Sequence, residues 1–148
     1  MRTRTRPRFA MVLLLATTAV HAADPPPATV TMRAGRWALV TQTLLPHLEE
    51  ALRYATTRDE RCLDAPAVDE LFAVLRHEAL AGCTLAATGD THVFALHCRN
   101  AQAASGRAMV ETSDDVLTAV LDLKMGGKNM TLAQRVTGRR VGACPSYP

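Results

Sequence analysis

The chain has 148 residues, 48% of them hydrophobic and 21% charged, with four cysteines and 4% aromatic side chains. Its formal charge of +3 comes from the extreme N-terminus: without Arg2, Arg4, Arg6 and Arg8 the remaining 13 basic residues face 14 acidic ones, a net of −1. That balance excludes charge-driven binding of nucleic acid, and the sparse aromatics exclude a stacking platform for single strands.

The first eight residues are basic with no acid, Phe9 to Ala19 is apolar, and Val20-His21-Ala22 places small residues before a cleavage point. This is the order of a Sec-type secretory signal. The apolar stretch falls short of the roughly 20 residues a membrane span needs. No cysteine stands at the cleavage point to take a lipid, and no paired arginines precede the apolar run. The expectation is a signal peptide over 1–22 and a periplasmic protein that meets the membrane only through that signal before cleavage. Residues 23–33, with Asp24-Pro-Pro-Pro27, read as an extended leader. Residues 34–148 are of a size for one domain.

Gly35 to Leu45 is rich in β-branched and aromatic residues and predicts a first strand. Leu45, Leu48, Leu52 and Ala55 recur at helical spacing after Pro46, which predicts a helix over Pro46–Arg58. A second helix is expected where Asp64 can cap, Pro66 fits the first turn, and Val68, Leu71, Phe72 and Leu75 make one apolar stripe.

Strands are expected beyond Gly82. Leu117, Ala119, Leu121, Leu123 and Met125 share one face of a strand, and Thr118, Asp122 and Lys124 share the other. A two-residue turn at Gly126-Gly127 would set Leu123 opposite Met130 and Leu121 opposite Leu132. A turn at Asp114-Asp115 would set Val110 opposite Ala119 and Ala108 opposite Leu121. A turn near Asp90-Thr91 would set Cys83 opposite Cys98, Leu85 opposite Leu96 and Ala87 opposite Phe94. The predicted fold class is α+β: an antiparallel meander, curled or partly closed, with one or two helices packed on it.

An even number of cysteines in an exported chain points to disulfides, and four allow three connectivities. The hairpin register favours Cys83 with Cys98, which leaves Cys62 for Cys144 and a closed loop worth roughly 4 kcal/mol in the chain-entropy model. No pair has CxxC spacing. His97 abuts Cys98, and His92 and His97 differ by an odd number, so on a strand each of these pairs diverges. Neither metal nor redox chemistry is therefore expected, and no cofactor is implied.

Gly35-Arg-Trp37, Arg61-Cys-Leu63, Gly82-Cys83, His97-Cys98 and Gly138-Arg-Arg-Val-Gly-Ala-Cys144 occur in one order along the chain. This resembles a family of short exported proteobacterial proteins catalogued as domain of unknown function 3617. The resemblance spans the mature region, and its closing motif is the most specific part. Ala143 stands where an Asp is common in that family, and the aromatic expected near Leu117 is missing. The resemblance implies a periplasmic location and the cysteine framework, and it brings no catalytic residues.

Arg139 and Arg140, between Gly138 and Gly142, form a candidate anion-binding corner, because guanidinium forks suit carboxylate and phosphate. Met109, Met125 and Met130 fit the inward face and read as core rather than as soft copper ligands. His47 and His77 have polar neighbours and read as surface groups. Ser105, Ser113 and Ser146 lack the Gly-x-Ser-x-Gly setting of a hydrolase nucleophile. Asn129-Met-Thr131 matches a glycosylation sequon, which matters only in a eukaryotic secretory host. The function these residues favour is a non-enzymatic interaction or envelope-support module with an unknown protein partner. The competing reading is a binder of a small apolar or amphipathic ligand held between a curved sheet and the Val68–Leu75 helix.

Overall fold

The computed structural model describes residues 27–64, 66–99, 104–126 and 130–145. The expected signal peptide, Gly127 of the expected glycine turn, the Asn129 of the sequon and Ser146 lie outside the described residues. Seven strands, β1 (Gly35–Leu44), β2 (Tyr54–Leu63), β3 (Cys83–Ala87), β4 (Val93–Cys98), β5 (Ser105–Ser113), β6 (Val116–Met125) and β7 (Met130–Gly142), form a single antiparallel sheet. Its order is β2-β1-β7-β6-β5-β4-β3, so a C-terminal five-stranded meander meets the N-terminal hairpin along β7 and β1. The sheet does not close and leaves β2 and β3 as edges.

The period-two pattern of each strand decides which side is buried. Trp37 and Leu39 on β1, Val136 and Gly138 on β7, Leu117, Ala119, Leu121 and Leu123 on β6, and Ala108 and Val110 on β5 all point inward. Trp37 is wholly buried, and its indole N–H donates to the Arg33 carbonyl at 3.2 Å, so its one polar atom is satisfied. Gly138 has no side chain because none fits: a Cβ there would lie 2.8 Å from Leu39 Cδ2 and 3.3 Å from Leu117 Cβ. These leucines from the flanking strands fill the space above it.

The tail of β7 crosses the start of β1. Gly35 adopts φ +150°, and a Cβ on it would stand 2.5 Å from the Gly142 carbonyl oxygen. Only glycine tolerates both the backbone angle and that approach. The crossing brings Cys144 to Cys62, which bond with their Cα atoms 5.5 Å apart. Cys83 and Cys98, directly opposed on β3 and β4, form the second disulfide.

The leader belongs to the domain. Ala28 is buried; its N–H donates to Leu85 O at 3.1 Å, and its carbonyl accepts from Val68 N–H at 2.8 Å. Farther along, Thr31 O accepts from Thr112 Oγ1 at 2.9 Å, and Arg33 pairs with Asp115 at 3.0 Å. The leader thus crosses the strand ends and links the β3 edge to the segment that follows β2.

Both expected helices are corrected, and the fold is mostly β rather than α+β. Pro46–Arg58 holds one helical turn, α1 (Glu50–Arg53), after which the chain enters β2 at Tyr54. The leucine spacing was misleading because Leu52 is 65% exposed and stabilises nothing by burial. The β2 strand was hidden because an edge strand with exposed residues on both faces shows no apolar alternation.

The stripe Val68–Leu75 is buried as expected but forms three 3-10 turns, Val68–Leu71, Ala73–Arg76 and Glu78–Leu80, broken by extended Phe72 and His77. In an α-helix the Val74 N–H would donate to the Glu70 carbonyl. Here Val74 N–H donates to Gln134 Oε1 at 3.2 Å, and Glu70 O accepts from Arg61 Nη1 at 3.3 Å. Sheet side chains take both halves of that helical bond. The tighter 3-10 rise of about 2.0 Å per residue also lengthens the segment, which must reach from Leu63 to Cys83.

The β3–β4 and β5–β6 registers match those expected. The β6–β7 register is shifted by two: Leu123 faces Leu132 and Met125 faces Met130. The paired strands end at Met125 and begin at Met130, and an even shift keeps every side chain on its face. Met109 is corrected from core to surface, being 46% exposed, because Ala108 and Val110 hold the inward positions of β5.

Two stability measurements follow from this packing. Gly138→Val forces β-carbons into the Leu39–Leu117 contact and should cost about 2 kcal/mol, lowering the urea midpoint without changing the slope. Removing the Cys62–Cys144 bond as a double serine variant should cost about 4 kcal/mol, and removing Cys83–Cys98 about 3 kcal/mol, because the sequence separations are 82 and 15. Equal losses in the two double variants would contradict a loop-entropy origin.

Candidate functional site

The candidate residues from the sequence do not converge. Arg139 and Arg140 are neighbours on β7 and point to opposite faces. Arg140 Nε donates to Ala34 O at 2.9 Å and ties β7 to the residue that precedes β1, whereas Arg139 is exposed on the outer face between Val116 and Ala38. The two guanidinium groups therefore present no common fork. His97 sits opposite Thr84 while Cys98 is bonded to Cys83, so this histidine and cysteine diverge. His92 Nδ1 lies 3.2 Å from Val110 O, and His47 and His77 are exposed. No group of three or more His, Cys, Asp or Glu among the described residues is arranged to hold a metal ion.

The space between the sheet and the 3-10 segment is filled by side chains. Val68, Leu71, Phe72 and Leu80 from the segment meet Trp37, Leu39, Leu121 and Val136 from the sheet, each 2% exposed or less. One end of this interior carries a polar contact, where Gln134, buried on β7, donates through Nε2 to Thr43 Oγ1 at 2.8 Å while accepting from Val74. On β2, inward-facing Asp59 and Arg61 pair with each other, and Arg61 stands opposite Trp37. An inward-pointing charged pair on an edge strand disfavours pairing with another chain's edge.

Two furrows lie outside, on the opposite face of the same sheet. Strand pairing places Arg107, Asp122, Ala133, Leu44 and Tyr54 side by side across β5, β6, β7, β1 and β2. The next row is Met109, Val120, Arg135, Gln42 and Thr56. Ala133 is small and sits between longer side chains, which leaves a depression on either side of it. One is a cavity of about 500 Å³ walled by Tyr54, Gln42, Arg135 and Asp122. The other, about 490 Å³, lies toward Arg107, Lys124 and Pro46. Asp122 and Ala133 line both, so the two adjoin along one row of the sheet.

The charged groups of this trough are uncommitted. The ion pairs among the described residues are Arg33–Asp115, Arg36–Glu60 and Arg61–Asp59, and none includes Arg107, Asp122, Lys124 or Arg135. Tyr54 is 69% exposed, an unusual setting for one of so few aromatic side chains. Sequence reasoning missed this surface because its residues come from five strands and Tyr54 was assigned to a helix. The available signal was the polar face Thr118, Asp122 and Lys124 on β6, which is correct but unremarkable when that strand is read alone.

Comparison with known proteins found no matching curated protein and no matching solved structure. A family model described as "Protein of unknown function (DUF3617)" matches residues 32–144, from the end of the leader through the last cysteine. That range takes in all seven strands and both disulfides, and the chain belongs to this family.

Proposed function

We propose that this protein is an exported, non-enzymatic interaction module whose disulfide-stapled sheet presents its outer face to another component of the cell envelope. The single observation that carries this reading is the trough of two adjoining cavities over Asp122 and Ala133, lined by charged side chains that take part in none of the ion pairs among the described residues. Charges grouped on a rigid β surface suit a binding role because little backbone order remains to be gained on binding, the strands beneath them being already paired. Export is supported by the basic and apolar order of the first 22 residues and by two disulfides, which persist in oxidising compartments. The competing reading, a small ligand held between the sheet and the Val68–Leu75 segment, has less support, because Trp37, Phe72 and Leu71 already occupy that space.

The localisation half of the proposal is checked by the intact mass of the protein recovered from the periplasm. The mass should correspond to a chain starting at Ala23 or Asp24 and lacking four thiol hydrogens. A full-length chain with free thiols would refute it. The interaction half is checked in living cells with a photoreactive amino acid at single sites. A probe replacing Ala133 should give a discrete covalent adduct, whereas one replacing exposed Ala79, on the 3-10 segment, should not. Identical adducts from both positions would mean that the outer face is not the interaction surface.

A further inference from the structure

We infer that the trough on the outer face binds a short acidic oligosaccharide, with Tyr54 as the stacking platform and Arg135, Arg107 and Lys124 as the partners of its carboxylates. This inference rests on the outer-face reading above and names the class of ligand for that surface.

Length comes first. The row from Arg107 to Tyr54 crosses five strands, hence four interstrand spacings, or roughly 19 Å. Because the two cavities share Asp122 and Ala133, the occupant can be one extended molecule rather than two small ones. A single sugar or amino acid would leave most of the trough empty.

The chemistry then narrows the class. A pyranose ring has an apolar face of C–H bonds and a rim of hydroxyls. Tyr54, with its ring largely exposed at one end of the row, offers a flat apolar surface and a phenolic hydroxyl at its edge. Gln42 and Thr56 beside it supply donors and acceptors for hydroxyls, and the Asp122 carboxylate accepts from them. Three cations, Arg107, Lys124 and Arg135, face one carboxylate, Asp122, within the trough. This local excess runs against the net charge of −1 left once the N-terminal arginines are set aside, and it favours an anion. Guanidinium groups bind carboxylates through paired N–H donors.

The same geometry disfavours other extended ligands. A peptide strand gains affinity by pairing its backbone with a free sheet edge. This trough crosses the strands over their face and meets a free edge only at β2, whose inward-pointing Asp59–Arg61 pair disfavours the addition of another strand. A nucleic acid strand needs a series of stacking surfaces, and Tyr54 is the one aromatic residue lining either cavity. An acyl chain would desolvate Asp122 and Arg135 without replacing their hydrogen bonds.

The test is titration calorimetry on the mature protein with both disulfides intact. The probes are linear tetragalacturonate, its fully methyl-esterified form, and an all-glutamate peptide of matched charge. Tetragalacturonate should bind, and esterification should weaken it about tenfold or more, the loss expected for one charge-assisted contact. Tyr54→Ala and Arg135→Gln should each weaken binding about tenfold, while Arg139→Gln, outside the trough, should leave it unchanged. All three positions are exposed, and an unchanged urea midpoint for each variant confirms an intact fold. Equal affinity for the glutamate peptide, or indifference to Tyr54→Ala, would reduce the site to a nonspecific charge patch and overturn the inference. Failure to bind tetragalacturonate also overturns it. If the Ala133 photo-adduct persists in that case, the outer-face reading survives and only the ligand class falls; if the adduct is absent as well, both fall.

Discussion

The pairing of β1 with β7 is the constraint on which the rest of the structure depends. It joins two locally formed pieces, the β1–β2 hairpin and the β3–β7 meander, whose contacting residues lie about a hundred positions apart in the chain. Ordering so long a loop is entropically costly, and the seam holds a dense set of compensating contacts. Leu39 and Leu117 close over Gly138, Gln134 bonds Thr43, Arg140 reaches back to Ala34, and Gly35 lets the β7 tail pass above it toward the Cys62–Cys144 bond. That disulfide restrains the seam in the unfolded chain, where closure entropy has most to offset. The closing Gly-Arg-Arg-Val-Gly-Ala-Cys run has a structural meaning here: Gly138 makes room for Leu39 and Leu117, Arg140 ties down Ala34 ahead of β1, and its cysteine bonds Cys62.

The same seam creates the outer trough. Once β7 lies beside β1, Ala133 falls next to Leu44, and its short side chain becomes the floor between Tyr54 on one side and the charged residues of β5 and β6 on the other. The inner face is consumed by packing, with the 3-10 segment and the leader closing over it, so the outer face is where uncommitted functional groups remain. Stability and recognition are thereby divided between the two faces of one sheet. Substitutions on odd-numbered positions of β1 act through the core, and those on even-numbered positions act on the outer surface.

Much of the meander was legible in the sequence because its signals are local. The alternation of Leu117, Ala119, Leu121 and Leu123 against Thr118, Asp122 and Lys124 reports a half-buried strand without knowledge of its neighbours. The Cys83–Cys98 hairpin could be aligned from its own turn. The failures share a cause. Tyr54–Leu63 lies at an edge, so its side chains carry no burial pattern to reveal a strand. Val68–Leu75 carries a helical pattern whose backbone bond is taken by Gln134 and Arg61, residues on two other strands. The shift between β6 and β7 arose in a loop whose length the glycine pair alone did not set.

The sequence by itself determined the strands that bury one face, the export-like N-terminus, the family and a preferred pairing of the four cysteines, because each is encoded in residue type and short spacing. Tertiary structure alone decided that the helical stripe becomes 3-10 turns, that the leader joins the core, and that Arg139 and Arg140 part company across β7. It also decided that Arg107, Asp122, Ala133, Leu44 and Tyr54 form one row. The physical reason is that strand order and register in a non-local sheet are set by the sum of contacts across the β1–β7 seam, a quantity no local window of sequence contains.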